Sequence, residues 1–373
     1  MRIAFHTPLN AFEDARISGD RRMAQQLVEA MTNLGHELEP IPNARSYMRT
    51  PDAETLTFHL CEARARRDAL LDDWRRNGGA PDLWFTYHSY YKAPDLLGPE
   101  ISQQLGIPYV VAEGSDSERR VEGEWAEHVA IARRSFGTVD LHFCFTGRDR
   151  QGLQPWGHEH TAFLALPPFI RSASDAGLPK PVLAGPPRLL TIAMMRPGKF
   201  PSYRALAALL ALVPEPWSLT IIGDGPMRGE IEAAFAGIPP GRLRWLGAIA
   251  HDRVKAELAA HDIFVWPGVR EAYGLVYLEA QAAGLPVIAF DSGGVSATVR
   301  PGETALLVPD GDITALKQAL ARLLTDTALR TRMSAAARRF ATTERTPERA
   351  REIIREGLAL AITSHAARTR RTA

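Results

Sequence analysis

Two carboxylates eight positions apart, Glu271 and Glu279, bracket a glycine in the stretch Val269-Arg270-Glu271-Ala272-Tyr273-Gly274-Leu275-Val276-Tyr277-Leu278-Glu279-Ala280. Apolar strand patterns flank it, Asp262-Ile263-Phe264-Val265-Trp266-Pro267 before and Leu285-Pro286-Val287-Ile288-Ala289-Phe290 after. The segment between them predicts a helix opening at a turn around Gly274, with Glu271 just outside it and Glu279 about one turn inside. The start of a helix offers backbone N–H groups without intrahelical partners and the positive end of the helix dipole, which together make an anion site. An acid before the turn and another inside the helix can flank that anion and accept hydrogen bonds from hydroxyls. An anion that carries hydroxyls is the chemistry of a sugar nucleotide.

Glutamates at this spacing are common, and the full run is far more specific. Continued through Gln281-Ala282-Ala283-Gly284-Leu285-Pro286-Val287, it resembles the retaining glycosyltransferases of family 4, which have the GT-B fold. The resemblance implies an α/β chain of two Rossmann-like α/β/α domains facing each other across a cleft. It implies a nucleotide-diphosphate sugar as donor, retention of anomeric configuration, no cofactor and no metal. Carried onto this chain, it places the donor diphosphate at the N–H groups of Gly274, Leu275 and Val276 and the ribose hydroxyls at Glu279. Glu271 then takes hydroxyls of the transferred sugar and stabilises positive charge near its ring.

A leaving diphosphate needs countercharge. Arg188-Leu189-Leu190-Thr191-Ile192-Ala193 reads as a strand, and Met194-Met195-Arg196-Pro197-Gly198-Lys199 after it puts two cations in a strand-to-helix loop. A guanidinium forms paired bonds to phosphate, and an ammonium adds a compact charge. In family 4 an arginine and a lysine in this loop hold the diphosphate, and Arg196 and Lys199 match them; two surface cations are the plain alternative. Leu219-Thr220-Ile221-Ile222-Gly223-Asp224-Gly225-Pro226 is a strand followed by a glycine turn that also resembles the family, where it lies near the nucleotide. Packing or turn geometry would explain Gly223 equally well. Arg244-Trp245-Leu246-Gly247-Ala248-Ile249 follows as the next strand and loop, and the resemblance implies that backbone around Ala248 and Ile249 meets the base.

The first half carries weaker signals. Ile3-Ala4-Phe5 reads as a buried strand, the loop from Thr7 to Gly19 follows, and Met23, Leu27, Ala30, Met31 and Leu34 recur at helical spacing up to Gly35. Gly19, beside Ser18 and Asp20, would let backbone approach a phosphate; a simple turn is the alternative. Asp82-Leu83-Trp84-Phe85-Thr86-Tyr87-His88 and Ile107-Pro108-Tyr109-Val110-Val111-Ala112 are strands running into loops. Ligands of open α/β sheets gather at such strand ends, so His88 and Glu113-Gly114-Ser115-Asp116 lie where donor or acceptor sugar is met. The family commonly has a histidine in the second loop, holding the donor sugar. Here Gly114 stands near that place, so His88 or Glu113 substitutes, or the donor contacts differ. A structural role for His88 is the other reading. Tyr87, Tyr90 and Tyr91 suit either sugar stacking or packing.

With 373 residues, two domains are expected. The sequence divides into an acceptor-side Rossmann-like domain over residues 1–168, a proline-rich linker over 169–187, a nucleotide-sugar domain over 188–345 and a helix over 346–373. The resemblance implies that this helix packs back on the first domain; its basic end from Arg368 reads as frayed. Hydrophobic content of 45%, charged content of 23% and a formal charge of +1 suit a globular enzyme without a global pull toward nucleic acid. Cys61 and Cys144 match no metal spacing. Met1-Arg2-Ile3-Ala4-Phe5-His6 is too short an apolar run for a signal peptide and no stretch approaches transmembrane length, so a cytoplasmic protein is expected. The arginines of residues 52–77 invite a membrane-surface reading, but Glu62, Asp68, Asp72 and Asp73 offset most of their charge. A solvated face is favoured there, and peripheral contact at the inner face of the membrane stays open. The partners expected are a nucleotide sugar and an acceptor that is a glycan, a lipid-linked glycan or a small metabolite. A GT-B epimerase or phosphorylase, or a non-catalytic nucleotide- or glycan-binding protein, is the alternative.

Overall fold

The strand-forming runs of this chain are almost wholly apolar, which suits parallel strands covered on both faces. The computed structural model of the chain describes residues 1–9, 18–42, 45–171 and 185–372. It divides into two units, Met1–Pro167 with Pro347–Ala373, and Pro168–Thr346. Most of the expected Thr7–Gly19 loop and of the 169–187 linker lies outside the described residues.

In the first unit, strands and helices alternate as β1 (Arg2–His6), α1 (Gly19–Thr32), β2 (Glu37–Pro40), α2 (Ala53–Asn77), β3 (Leu83–Tyr87), α3 (Gly98–Leu105), β4 (Tyr109–Ala112), α4 (Ala126–Phe136), β5 (Leu141–Cys144), α5 (Gly147–Leu153) and β6 (Ala162–Ala165). The strands pair in parallel in the order β2-β1-β3-β4-β5-β6. Residues of β3, β4 and β5 are buried throughout, as central strands of a two-sided sheet must be. Helix starts follow local chemistry. The Ser18 hydroxyl accepts from Arg21 N at 3.2 Å to open α1, and the Asp52 carboxylate accepts from Thr55 N at 2.7 Å to open α2. Buried Asp95 caps α3 through Leu97 N and Gly98 N at 2.9 and 2.8 Å and also accepts the Tyr109 hydroxyl at 2.8 Å, tying the loop after β3 to β4.

The second unit contains β7 (Arg188–Ile192), α6 (Phe200–Ala211), β8 (Ser218–Ile222), α7 (Arg228–Ala234), β9 (Leu243–Gly247), α8 (His251–Ala260), β10 (Ile263–Val265), α9 (Leu275–Ala282), β11 (Val287–Asp291), β12 (Ala305–Pro309), α10 (Ile313–Thr325) and α11 (Thr327–Thr343). Its parallel strands run β12-β11-β10-β7-β8-β9. Read from β9, this is the doubly wound Rossmann order, with its reversal between β7 and β10.

The last helix, α12 (Pro347–Thr372), opens on a proline that the first turn tolerates and packs on α1, β4, β5 and β6 of the first unit. Gly357 permits this approach, because a Cβ there would lie 2.3 Å from the Phe143 ring. The frayed end expected from Arg368 is not what forms. The helix continues to Thr372, and Arg368 Nη2 donates to the buried Asp140 carboxylate at 3.2 Å. A buried acid needs such a partner, and the tail supplies it. No helix among the described residues is long and apolar enough to cross a membrane.

Candidate functional site

Ligands of open parallel sheets bind outside the strand ends where the order reverses. In the second unit β7 leads there into residues 193–199 and β10 into residues 266–274. The structure joins the two loops by charge: Lys199 Nζ donates to both carboxylate oxygens of Glu271, at 2.5 and 2.6 Å. Trp266 Nε1 donates to the same carboxylate at 3.2 Å. Lys199 and Glu271, expected to serve opposite ends of a donor, therefore form one ion pair. Arg196, expected to share the phosphate with Lys199, is exposed, and its guanidinium has no partner among the described residues.

The backbone carrying Glu271 is tightly specified. Arg270 sits at φ 56°, a left-handed conformation that costs a non-glycine residue about 1–2 kcal/mol. Its N–H donates to Ser292 Oγ at 3.0 Å, and the Ser292 hydroxyl donates to Asp310 at 3.0 Å. Gly294 N donates to the Glu271 carbonyl at 2.9 Å, while Gly293, at φ +62°, lies so close that a Cβ would fall 1.9 Å from that oxygen. The Asp291–Gly294 loop reads in the sequence as one more flexible loop at the sheet edge. It is the clamp on Glu271. The paired glycines directly after a strand were the available signal.

Gly274 directly precedes α9 as its N-cap at φ 76°, with no side chain capping the helix start where Leu275 and Val276 lie. A Cβ at Gly274 would lie 2.7 Å from the Tyr277 ring, whose hydroxyl donates to the Trp266 carbonyl at 3.1 Å. Glu279 is half-buried inside the helix. Gly223 and Gly225 pack against the neighbouring loop. Cβ atoms there would lie 1.9 Å from the Ala193 carbonyl oxygen and 2.4 Å from that of Met195, so these glycines let the turn after β8 abut the loop bearing Arg196 and Lys199. The Gly223 N–H is already taken by the Gly247 carbonyl at 2.9 Å. Ala248 is exposed and Ile249 half-buried just beyond β9, two strands from β7 in the sheet order.

In the first unit, His88 and Glu113 follow β3 and β4, and both are left-handed, at φ 62° and 56°. Two strained non-glycine residues on adjacent strand ends are a mark of a functional site. His88 Nδ1 lies 3.2 Å from Asp20 Oδ1 and 3.8 Å from Glu113 Oε1. Asp20, which the sequence marks only as a neighbour of Gly19, is thus part of the cluster. Burial pushes the imidazole down, but Glu113, Asp20 and Asp149 outweigh it and raise His88 to about 9. Burial raises Glu113 to about 7, with His88 opposing. The three side chains bring their ligand atoms within 4.8 Å of one another, a spacing that a divalent cation could also span. Gly114, near the place where the resembled family commonly has a histidine, is buried, and a Cβ there would lie 3.2 Å from a Val111 methyl group and 3.5 Å from His142 and Leu153, a tight fit. Gly19 is the first residue of α1 and has open space where its side chain would be. The Tyr90 ring lies 5.1 Å from the His88 ring at a tilt of 34°, and Tyr91 packs 5.6 Å from Tyr90 and 5.1 Å from buried Trp125.

A base raised in the folded state stabilises below its ordinary value, 6.5 for His88, and loses that contribution as pH climbs through about 9. Urea unfolding midpoints should therefore fall between about pH 7 and pH 9, above the Glu113 transition. His88→Asn should flatten that decline. Identical pH slopes for the two proteins would mean the imidazole is not charged between these carboxylates.

Two doubly wound units of six parallel strands, each with charged loops at the strand ends, define the GT-B glycosyltransferase fold. Sucrose-phosphate synthase from Thermosynechococcus elongatus superposes with a TM-score of 0.72 at 20% identity, over 96% of this chain and 99% of that one. The Anabaena protein HepE in complex with UDP-glucose gives 0.69 at 16% identity, over 96% and 99%. Residues 186–326 match the family model for glycosyl transferases group 1, and this region is a group 1 glycosyltransferase domain. Among curated relatives, a D-inositol 3-phosphate glycosyltransferase from Acidothermus cellulolyticus is 29% identical over 77% of this chain and 66% of its own length. A sulfoquinovosyl transferase from Arabidopsis thaliana is 33% identical over 41% and 30%. The chain thus spans under two-thirds of the length of these relatives.

Proposed function

We propose that the chain is a retaining glycosyltransferase of family 4 that moves a sugar from a nucleotide-diphosphate donor to a hydroxyl-bearing acceptor without a metal. The observation that carries this reading is the Lys199–Glu271 pair at the strand-order reversal, with the start of α9 and Arg196, which has no partner among the described residues, in the same unit. A neighbour of the same fold in complex with UDP-glucose supports the donor class.

In this reading Arg196, the Lys199 ammonium and the N–H groups of Gly274, Leu275 and Val276 neutralise the diphosphate, and Glu279 takes the ribose hydroxyls. As the bond from the anomeric carbon to phosphate oxygen breaks, its electron pair goes to that oxygen, and the fixed cations and helix start stabilise the charge. Glu271 stabilises the positive charge left on the sugar ring. The acceptor hydroxyl attacks from the face the phosphate leaves, and its proton passes to the departing phosphate. Charged His88, held by Asp20 and Glu113, donates a hydrogen bond to a sugar hydroxyl. The acceptor, a glycan, lipid-linked glycan or small metabolite, is met by the first unit. The reaction is placed in the cytoplasm, with peripheral membrane contact where the acceptor is lipid-linked.

A thermal-shift screen of nucleotide sugars identifies the donor, because only ligands of the folded state stabilise it. Transfer from that donor should run equally fast in EDTA. Loss of activity in EDTA that added Mn²⁺ restores would overturn metal independence and direct attention to Asp20, His88 and Glu113. If no nucleotide sugar binds, the transferase reading itself falls.

A further inference from the structure

We infer a second binding site in the first unit: the cavity between α2 and the segments following β2 and β3 takes the anionic group, phosphate or carboxylate, of a small ligand. It lies outside the transfer chemistry proposed above and does not depend on it. The cavity measures about 310 Å³, and Arg45, His59, Glu62 and Arg66 line it together with Leu96 and Leu97. Ligand pockets commonly begin near this size, at roughly 300 Å³.

The arginines set its chemistry. Arg66 is half-buried, and its Nε–H is fully buried without a hydrogen-bond partner. The side chain makes no ion pair among the described residues. Its neighbour Arg67 behaves in the opposite way and is bonded to Asp68 and Glu100. A guanidinium cannot shed its proton to relieve burial, so an unpartnered one facing a cavity is a donor waiting for an acceptor. Arg45, itself exposed, lines the same space from the segment after β2. Its Nε donates to the Leu9 carbonyl at 2.9 Å and its guanidinium lies 5.0 Å over the Tyr47 ring, which anchors the side chain. It has no carboxylate partner among the described residues.

The charge balance favours an anion. Glu62, also exposed, is the one carboxylate among the described lining residues. His59 is held below its ordinary value, by burial first and by the Arg45 charge second, and so is neutral at neutral pH. Two guanidinium forks against one carboxylate leave net positive charge, and each fork matches the paired oxygens of phosphate or carboxylate. Leu96 and Leu97 add an apolar wall for carbon next to that group. A bare cation or an amine would meet repulsion from both arginines.

Phenyl phosphate and inorganic phosphate serve as probes for calorimetric titration of the full chain. Phenyl phosphate should bind saturably and more tightly than inorganic phosphate, because of the apolar wall. Arg66→Ala and Arg45→Ala should each weaken that binding about tenfold or more. Arg64→Ala, which removes an exposed arginine of α2 outside the cavity, should leave it unchanged. Arg66→Gln keeps the bulk of the side chain and replaces Arg66→Ala if the latter fails to fold. Co-sedimentation with phosphatidic acid vesicles separates the sources of the anion: pelleting that Arg66→Gln abolishes assigns the site to a lipid headgroup, and phenyl phosphate binding without pelleting assigns it to a free metabolite. Absence of saturable binding in both formats, or binding that survives loss of Arg45 and Arg66, overturns the inference. Because Arg196 and Glu271 remain intact throughout, failure here leaves the transferase reading standing, and failure of the donor screen leaves this site standing.

Discussion

Glu271→Gln is expected to lower sugar transfer by about 10²–10³-fold, the usual effect of removing one fixed electrostatic stabiliser. Nucleoside diphosphate binding should stay equal to wild type or become tighter. The reason lies in the ion pair. Lys199 spends its ammonium on both oxygens of Glu271, at 2.5 and 2.6 Å, and an uncharged amide in that place releases it toward the diphosphate. Lys199 is 29% exposed, so the loss of its partner does not strand a buried charge, and thermal stability should change little. Steady-state transfer rates and calorimetry with the diphosphate of the selected donor separate the two effects. Transfer at the parent rate would remove Glu271 from the chemistry. Arg196→Ala should give the opposite pattern, with diphosphate binding weakened about tenfold, because Arg196 has no partner among the described residues to release.

Gly293→Ala is expected to disable the site from behind. Both Gly293 and Gly302 are left-handed, at φ +62° and +80°, so alanine at either strains the backbone by about 1–2 kcal/mol. Only at Gly293 does the new Cβ meet anything, falling 1.9 Å from the Glu271 carbonyl oxygen; at Gly302 nothing lies within 4 Å. Such an overlap can be relieved only by moving the Glu271 backbone or the Asp291–Gly294 loop. Displacement of a catalytic group by about 1 Å can cost about 10²-fold in rate. Gly293→Ala should therefore lose transfer by about that factor and lose more stability than Gly302→Ala, which should keep its activity. Equal activities and equal unfolding midpoints in the two variants would show that the clamp does not position Glu271.

The local part of the fold was legible because its causes are local. The run from Val269 to Ala280 opens a helix wherever a glycine turn precedes apolar residues at helical spacing, and α9 begins at Leu275. The arginine-rich segment of residues 52–77 forms α2, Ala53–Asn77, from a cause just as local, with Asp52 as its cap. Where the reading fell short, the cause was distant in sequence. Gly-Asp-Gly after β8 is visible as a turn, but its need for glycine comes from the Ala193 and Met195 carbonyls. The tail from Arg368 looks frayed until Asp140, far back in the chain, proves to be its partner. Gly114 stands where the resembled family commonly has a histidine, and His142 and Leu153, each 3.5 Å from where a Cβ would lie, help crowd that place.

By itself, then, the sequence determined the α/β alternation, the turn at Gly274 and the residue types able to bind a diphosphate and sugar hydroxyls. Periodicity, capping and glycine turns act over a few residues and leave a direct record. Only the tertiary structure decided which charges meet: Lys199 with Glu271 across 72 positions, Asp20 with His88 across 68, and Arg66 with no partner among the described residues. Those outcomes depend on strand order and on which loops share a sheet edge. They are set by the packing of the whole sheet, and no single segment carries them.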